Sequence, residues 1–146
     1  MGAFHFRLQS VLNMKEQLEK EQKEAFSQAN AKLNELTEFG EKIEKEYRQW
    51  SFSYIQAAQA GTNPSDAIRI FSYLSELQEL TEKNRERLKL QAEEVENQRV
   101  LLIEKMRERK LMETLRDRQR ERFTKEEQKK QEKETEDMIL SKMSAN

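Results

Sequence analysis

Cysteine is absent from the 146 residues, glycine occurs three times and proline once. The missing thiols exclude a disulfide framework, a thiolate metal site and a cysteine nucleophile. With so few backbone-breaking residues, little in the chain can interrupt long regular elements. Long apolar runs are also missing: the longest, Val100 to Ile103, is far short of the ~20 residues that span a bilayer. Neither a secretory h-region nor an Arg-rich, acid-poor transit peptide opens the chain, so the expected compartment is the cytoplasm. No sign of charge is in excess, since 27 Lys and Arg face 28 Asp and Glu for a net of −1. That balance removes the self-repulsion that usually accompanies disorder.

What is there is helix-forming. Ala, Glu, Lys, Leu and Arg fill 77 of the 146 positions, the composition of coiled coils and long helices. Leu, Ile, Val and Phe total 31, which would make a thin globular core for this length. One stretch has the chemistry of a turn: Gly61-Thr62-Asn63-Pro64-Ser65-Asp66. Gly61 supplies a permissive backbone to end one helix. Asn63 suits the N-cap of the next, because its side-chain oxygen can accept from a free N–H of the first turn. Pro64 then takes the first helical position, where its missing N–H costs nothing, and Asp66 faces the positive end of the dipole.

The expected fold is therefore all-α: two long helices forming an antiparallel coiled-coil hairpin, a single unit over 1–146. Helix one runs from about 4 to 60, the turn covers about 61–63, and helix two runs from about 64 to 140. Phe4, Leu8, Val11, Leu18, Ala25, Ala29, Leu36, Phe39, Ile43, Tyr47, Trp50, Tyr54 and Ala57 form a stripe spaced mostly by three and four. Ala67, Ile70, Leu74, Leu77, Thr81, Leu88, Ala92, Val95, Leu102 and Met106 answer it on helix two. Lys15, Gln22 and Lys32 interrupt the first stripe, and Gly40 within it should cost about 1 kcal/mol relative to Ala. A short connection makes the helices antiparallel, with Trp50 near Leu74 or Leu77, Phe4 near Glu121, and helix two overhanging. The aromatic group nearest the turn, Tyr47, Trp50, Tyr54 and Phe71, is the expected firmest part.

Catalysis has little to work with. His5 is the only histidine, no Gly-rich phosphate loop occurs, and the many carboxylates sit where pairing with Lys or Arg one turn on is the ordinary role. No enzyme activity, metal or other cofactor is expected. Arg99 to Lys130 holds twelve Lys and Arg against seven acids. A solvated mixed-charge face, a docking surface for an acidic protein and a nucleic-acid helix all fit that composition. Interleaved acids and the lack of aromatics spaced to stack on bases place nucleic acid last. Ile68, Phe71, Tyr73 and Leu80 lie off the stripe and mark either a wider local core or a partner-binding patch.

The opening Phe4-His5-Phe6-Arg7-Leu8-Gln9-Ser10-Val11-Leu12, with Lys15-Glu16 after it, resembles the "F-x-F-R-L-Q-x-V-L-x-x-K-E" start of the FliJ family of flagellar export proteins. Tyr73-Leu74-Ser75-Glu76-Leu77 and the charged run from Glu104 to Met138 are similar to later parts of that family. The resemblance implies a cytoplasmic component of the flagellar type III export apparatus, peripheral at the inner face of the cell membrane. It implies a stalk-like coiled coil, monomeric when free, that binds the hexameric export ATPase ring and promotes its assembly. Contact with the transmembrane export gate protein and binding of export chaperones are implied as well. Carried over by position, the export-gate contact would be Tyr73, Leu77, Leu80 and Asn84; Asn84 stands where a relative has histidine. The ATPase-ring contact would be Phe4, Phe6, Arg7 and Leu8 with Arg107, Leu111, Arg116 and Arg118. The rival reading from the pattern alone is a generic coiled-coil scaffold or tether without ATPase coupling.

Overall fold

In the computed structural model, which describes residues 2–61 and 63–145, two helices account for nearly everything: α1, Gln9–Gln59, and α2, Pro64–Ser144. They pair as an antiparallel helical hairpin. The connection follows the expected chemistry at every described position, Thr62 lying outside the described residues. Gly61 has φ +72°, a conformation that only glycine takes without strain. Asn63 caps α2: its Oδ1 accepts from Ser65 N at 3.2 Å and its carbonyl accepts from Asp66 N at 3.0 Å. Asp66 lies in the first turn of α2 and Lys142 in the last, each favourable to the dipole.

The contacts divide into two compact units, Met1–Glu21 with Ile103–Asn146 (unit 1) and Gln22–Leu102 (unit 2). Helix α1 starts at Gln9 and not near residue 4. The reason lies in the Phe-x-Phe spacing. In a helix, Phe4 and Phe6 would point to opposite sides, whereas in non-helical, extended chain alternate residues share a side. Phe6 is buried, and the Phe4 ring meets that of Phe123 at 5.6 Å, tilted by 52°. Arg120 lies over the same Phe4 ring, its guanidinium carbon 5.6 Å from the centroid. A turn then leads into α1, with Gln9 N donating to Phe6 O at 3.1 Å.

Unit 1 is built around Leu12, which is fully covered although it lies off the expected stripe. Two turns further along α1 Glu19, also buried, pairs with Arg109, and Arg109 reaches Glu113 at 2.9 Å. Lys15, an interruption in the sequence pattern, bonds Glu108 at 3.1 Å. Beyond Phe123, α2 continues with essentially every side chain exposed. Within this unit that is the expected overhang.

Unit 2 has a mixed seam. Ile43, Leu74 and Leu77 supply apolar burial, but Asn84 and Gln91 are buried too, where Ala92 had been the expected seam residue. Phe39, assigned to the stripe, is 43% exposed. The aromatic group near the turn is also looser than its composition suggests. Trp50 is 41% exposed and Phe71 62%; the ring that Trp50 meets is Tyr73, edge-on at 5.3 Å. Among the described residues the deepest burial lies elsewhere, at Leu12, Leu77, Ile43 and Asn84.

Candidate functional site

Three amides on α2, Asn84, Gln91 and Gln98, recur every seven residues and meet α1 at Leu36, Ala29 and Gln22, also seven apart. Asn84 Nδ2 donates to Leu36 O at 3.1 Å and Gln91 Nε2 to Ala29 O at 2.9 Å. Gln22 Nε2 donates to both the side-chain and main-chain oxygens of Gln98, at 2.6 and 3.1 Å. Polar groups in a helical seam lower stability but specify the pairing. Asn84 Oδ1 has no hydrogen-bond partner. Gly40 faces this side chain so closely that a Cβ would lie 2.6 Å from Asn84 Nδ2. The heptad spacing of these amides was present in the sequence, although the apolar stripe drew attention to their neighbours.

The four residues assigned to the export-gate contact do not form one open face. Leu77 and Asn84 are buried against α1, 2% and 4% exposed. Tyr73 is half-buried and Leu80 is exposed. The Tyr73 hydroxyl donates to the Glu46 carboxylate at 3.0 Å, which holds its pKa above the usual tyrosine value, with partial desolvation and the nearby Glu76 adding to the effect. Close by, Gln78 Nε2 donates to the Tyr47 hydroxyl at 3.0 Å. Trp50, Asp66, Arg69, Ile70 and Tyr73 line a shallow concavity. The turn end stands out in a chain that is 38% charged: between residues 49 and 75 only Asp66 and Arg69 carry charge. Phe52, Ile55, Ile68 and Phe71 lie exposed there.

The residues assigned to the ATPase ring all fall in unit 1. Phe6 is buried and Phe4 and Leu8 are half-buried, so these three side chains pack within the unit, while Arg7 is exposed. On α2, Arg107, Leu111 and Arg118 are exposed, with Leu111 71% free. Arg116 is half-buried beside Asp117, at 3.4 Å. The unit thus offers cations and a leucine on its outside and uses its phenylalanines inside.

Among the described residues, no group of three or more His, Cys, Asp or Glu could hold a metal ion. Among the same residues, no helix is long and apolar enough to cross a membrane. No curated protein matches the chain. A solved structure of a YscO homologue from Chlamydia trachomatis is similar, at 23% identity over 93% of each chain with a TM-score of 0.49. The flagellar FliJ protein family matches residues 4–144, from Phe4 in the extended segment to Ser144 at the end of α2, and the chain belongs to that family.

Proposed function

We propose that this chain, a component of flagellar type III export by its family, is the stalk-like partner of the export ATPase. In this reading it binds the hexameric ring through unit 1, promotes ring assembly and couples the ring to the transmembrane export gate. Export chaperones bind it as well. It resides in the cytoplasm, peripheral to the inner face of the cell membrane through its partners, and is monomeric when free. It supplies a helical lever and no chemistry of its own.

The observation that carries the reading is the FliJ match over residues 4–144. The match includes the Phe4-to-Leu12 block, whose Phe4 ring anchors the N-terminal segment on α2 at Phe123. That anchoring brings Arg7 into the same unit as Arg107, Leu111 and Arg118, as a joint ring contact requires. For the gate, the accessible part of the assigned face is Tyr73 and Leu80, and Leu77 and Asn84 would act by supporting it from the seam.

The decisive experiment incubates the protein with the cognate export ATPase and scores hexamer formation and hydrolysis rate. Both should rise with added protein, and unchanged values would overturn the coupling role. Tyr73→Ala with Leu80→Ala tests the gate: binding to its cytoplasmic part should fall while helicity by circular dichroism is kept. Undiminished gate binding removes these two residues from the contact. Sedimentation of the free protein as a dimer or larger would favour the scaffold reading.

A further inference from the structure

On the side of α2 that faces away from α1 in unit 1, cations outnumber acids. At 3.6 residues per turn, Arg107, Leu111, Leu115, Arg118, Arg122 and Lys125 fall within about 40° of one line along the helix, and each is exposed. Lys129 continues the line and Glu104 precedes it. At its centre Leu111 and Leu115, one turn apart, are 71% and 37% free.

Of the neighbouring acids, Glu108, Glu113 and Asp117 are engaged elsewhere, while Glu121 and Glu126 lie exposed at the borders of the line. Glu108 is held by Lys15 at 3.1 Å with Lys105 at 3.9 Å, Glu113 by Arg109 at 2.9 Å, and Asp117 by Arg116 at 3.4 Å. Among the described residues, no cation of the line takes part in an ion pair. Arg118 and Arg122, one turn apart, repel each other.

Such a line suits one class of ligand. Nucleic acid would meet two bare leucines and no stacking ring on it. A membrane surface would find only two apolar side chains to bury, too few for an interfacial helix. A second copy of the same line would bring like charges together. We propose that this line is a docking face for an acidic amphipathic helix of a partner protein, whose apolar residues pack on Leu111 and Leu115 while its carboxylates pair with the flanking cations. The assignment deepens the ring-contact reading and rests on it for the partner's identity: the segment of the ATPase that meets α2 is then acidic and helical.

The test uses the full chain with two probes, the cognate ATPase and a synthetic acidic helix bearing two leucines one turn apart. Two variants are compared with the wild type: Arg118→Glu with Arg122→Glu, and Leu111→Ser with Leu115→Ser. Wild type should bind the acidic helix but not its lysine-for-glutamate counterpart. Each double variant should weaken binding about tenfold or more, with helicity unchanged because all four positions are exposed. Acidic-helix binding by both variants as tight as that of the wild type overturns the proposal. So does binding of phosphatidylserine vesicles or duplex DNA in place of the helix. Binding of the acidic helix without the ATPase would sink the ring reading and leave the docking face standing. Undiminished ATPase binding by both variants would do the reverse.

Discussion

Asn84 reaches across to helix α1 over Gly40, its Nδ2 2.6 Å from where a Cβ on residue 40 would lie and 3.1 Å from the Leu36 carbonyl that it bonds. The glycine and the amide belong to one contact. Gly40 lowers the helix propensity of α1, and the close approach it permits satisfies one end of a buried side chain.

A sign reversal follows for Gly40→Ala. On propensity alone the change should stabilise by about 1 kcal/mol. With Asn84 in place the new methyl displaces the amide and leaves a buried polar group unbonded, a loss of about 1–3 kcal/mol. The single variant should therefore unfold at lower urea concentration than wild type. In an Asn84→Ala background the same change should raise the midpoint. Equal shifts in the two backgrounds would show that the residues are not coupled.

Arg109 compensates the buried carboxylate of Glu19 and also binds Glu113. Replacing it with Met keeps much of the packing but leaves Glu19 buried without this cation. Breaking a fully buried pair costs about 3–5 kcal/mol. Arg109 is one-fifth exposed, so a loss of about 2 kcal/mol is expected after allowance for solvent screening. Urea unfolding measures it, and Glu19→Gln in the Arg109→Met background should recover part of the loss.

Acid sensitivity has named sources. The hydrogen bond from Lys15 holds the Glu108 carboxyl below the usual glutamate range, with Lys105 adding to it; Arg99 does the same for Glu96. A depressed folded-state value means that these pairs stabilise above the ordinary glutamate pKa of about 4.3. Their contribution is lost as pH falls through that value and past the folded one. Lys15→Gln should be less stable than wild type at neutral pH, and the difference should close as the pH falls below the depressed pKa of Glu108. A gap that stays constant with pH would assign the effect of Lys15 to packing.

At the turn, Asn63→Ala removes the acceptor that Ser65 N uses. Loss of such a cap costs about 1 kcal/mol. Gly61→Ala forces a side chain into positive φ and should cost a similar amount, about 1–2 kcal/mol. Hydrogen exchange should quicken most in the amides that flank the turn. Uniform quickening along both helices would mean that the turn controls the stability of the whole hairpin.

The sequence by itself determined the hairpin. One glycine, one asparagine and one proline at 61, 63 and 64 act through local backbone preferences, and a connection that short leaves two helices only the antiparallel arrangement. It also determined the family, because the Phe4-to-Leu12 block carries its meaning in residue identity. Tertiary structure alone decided which sides of the helices meet. Gln91 went into the seam while Phe39 and Ala92, both on the expected stripes, went to the surface, since helix pairing turns on the summed fit of both partners and each stripe, read alone, has more than one acceptable edge. The same fit placed Glu19 and Gln91 inside, where bonds from Arg109 and to the Ala29 carbonyl compensate their burial, and such partners lie too far along the chain for any local pattern to announce them. It also left Phe4 and Phe6 ahead of α1, with the Phe4 ring against Phe123 of α2 and Phe6 buried.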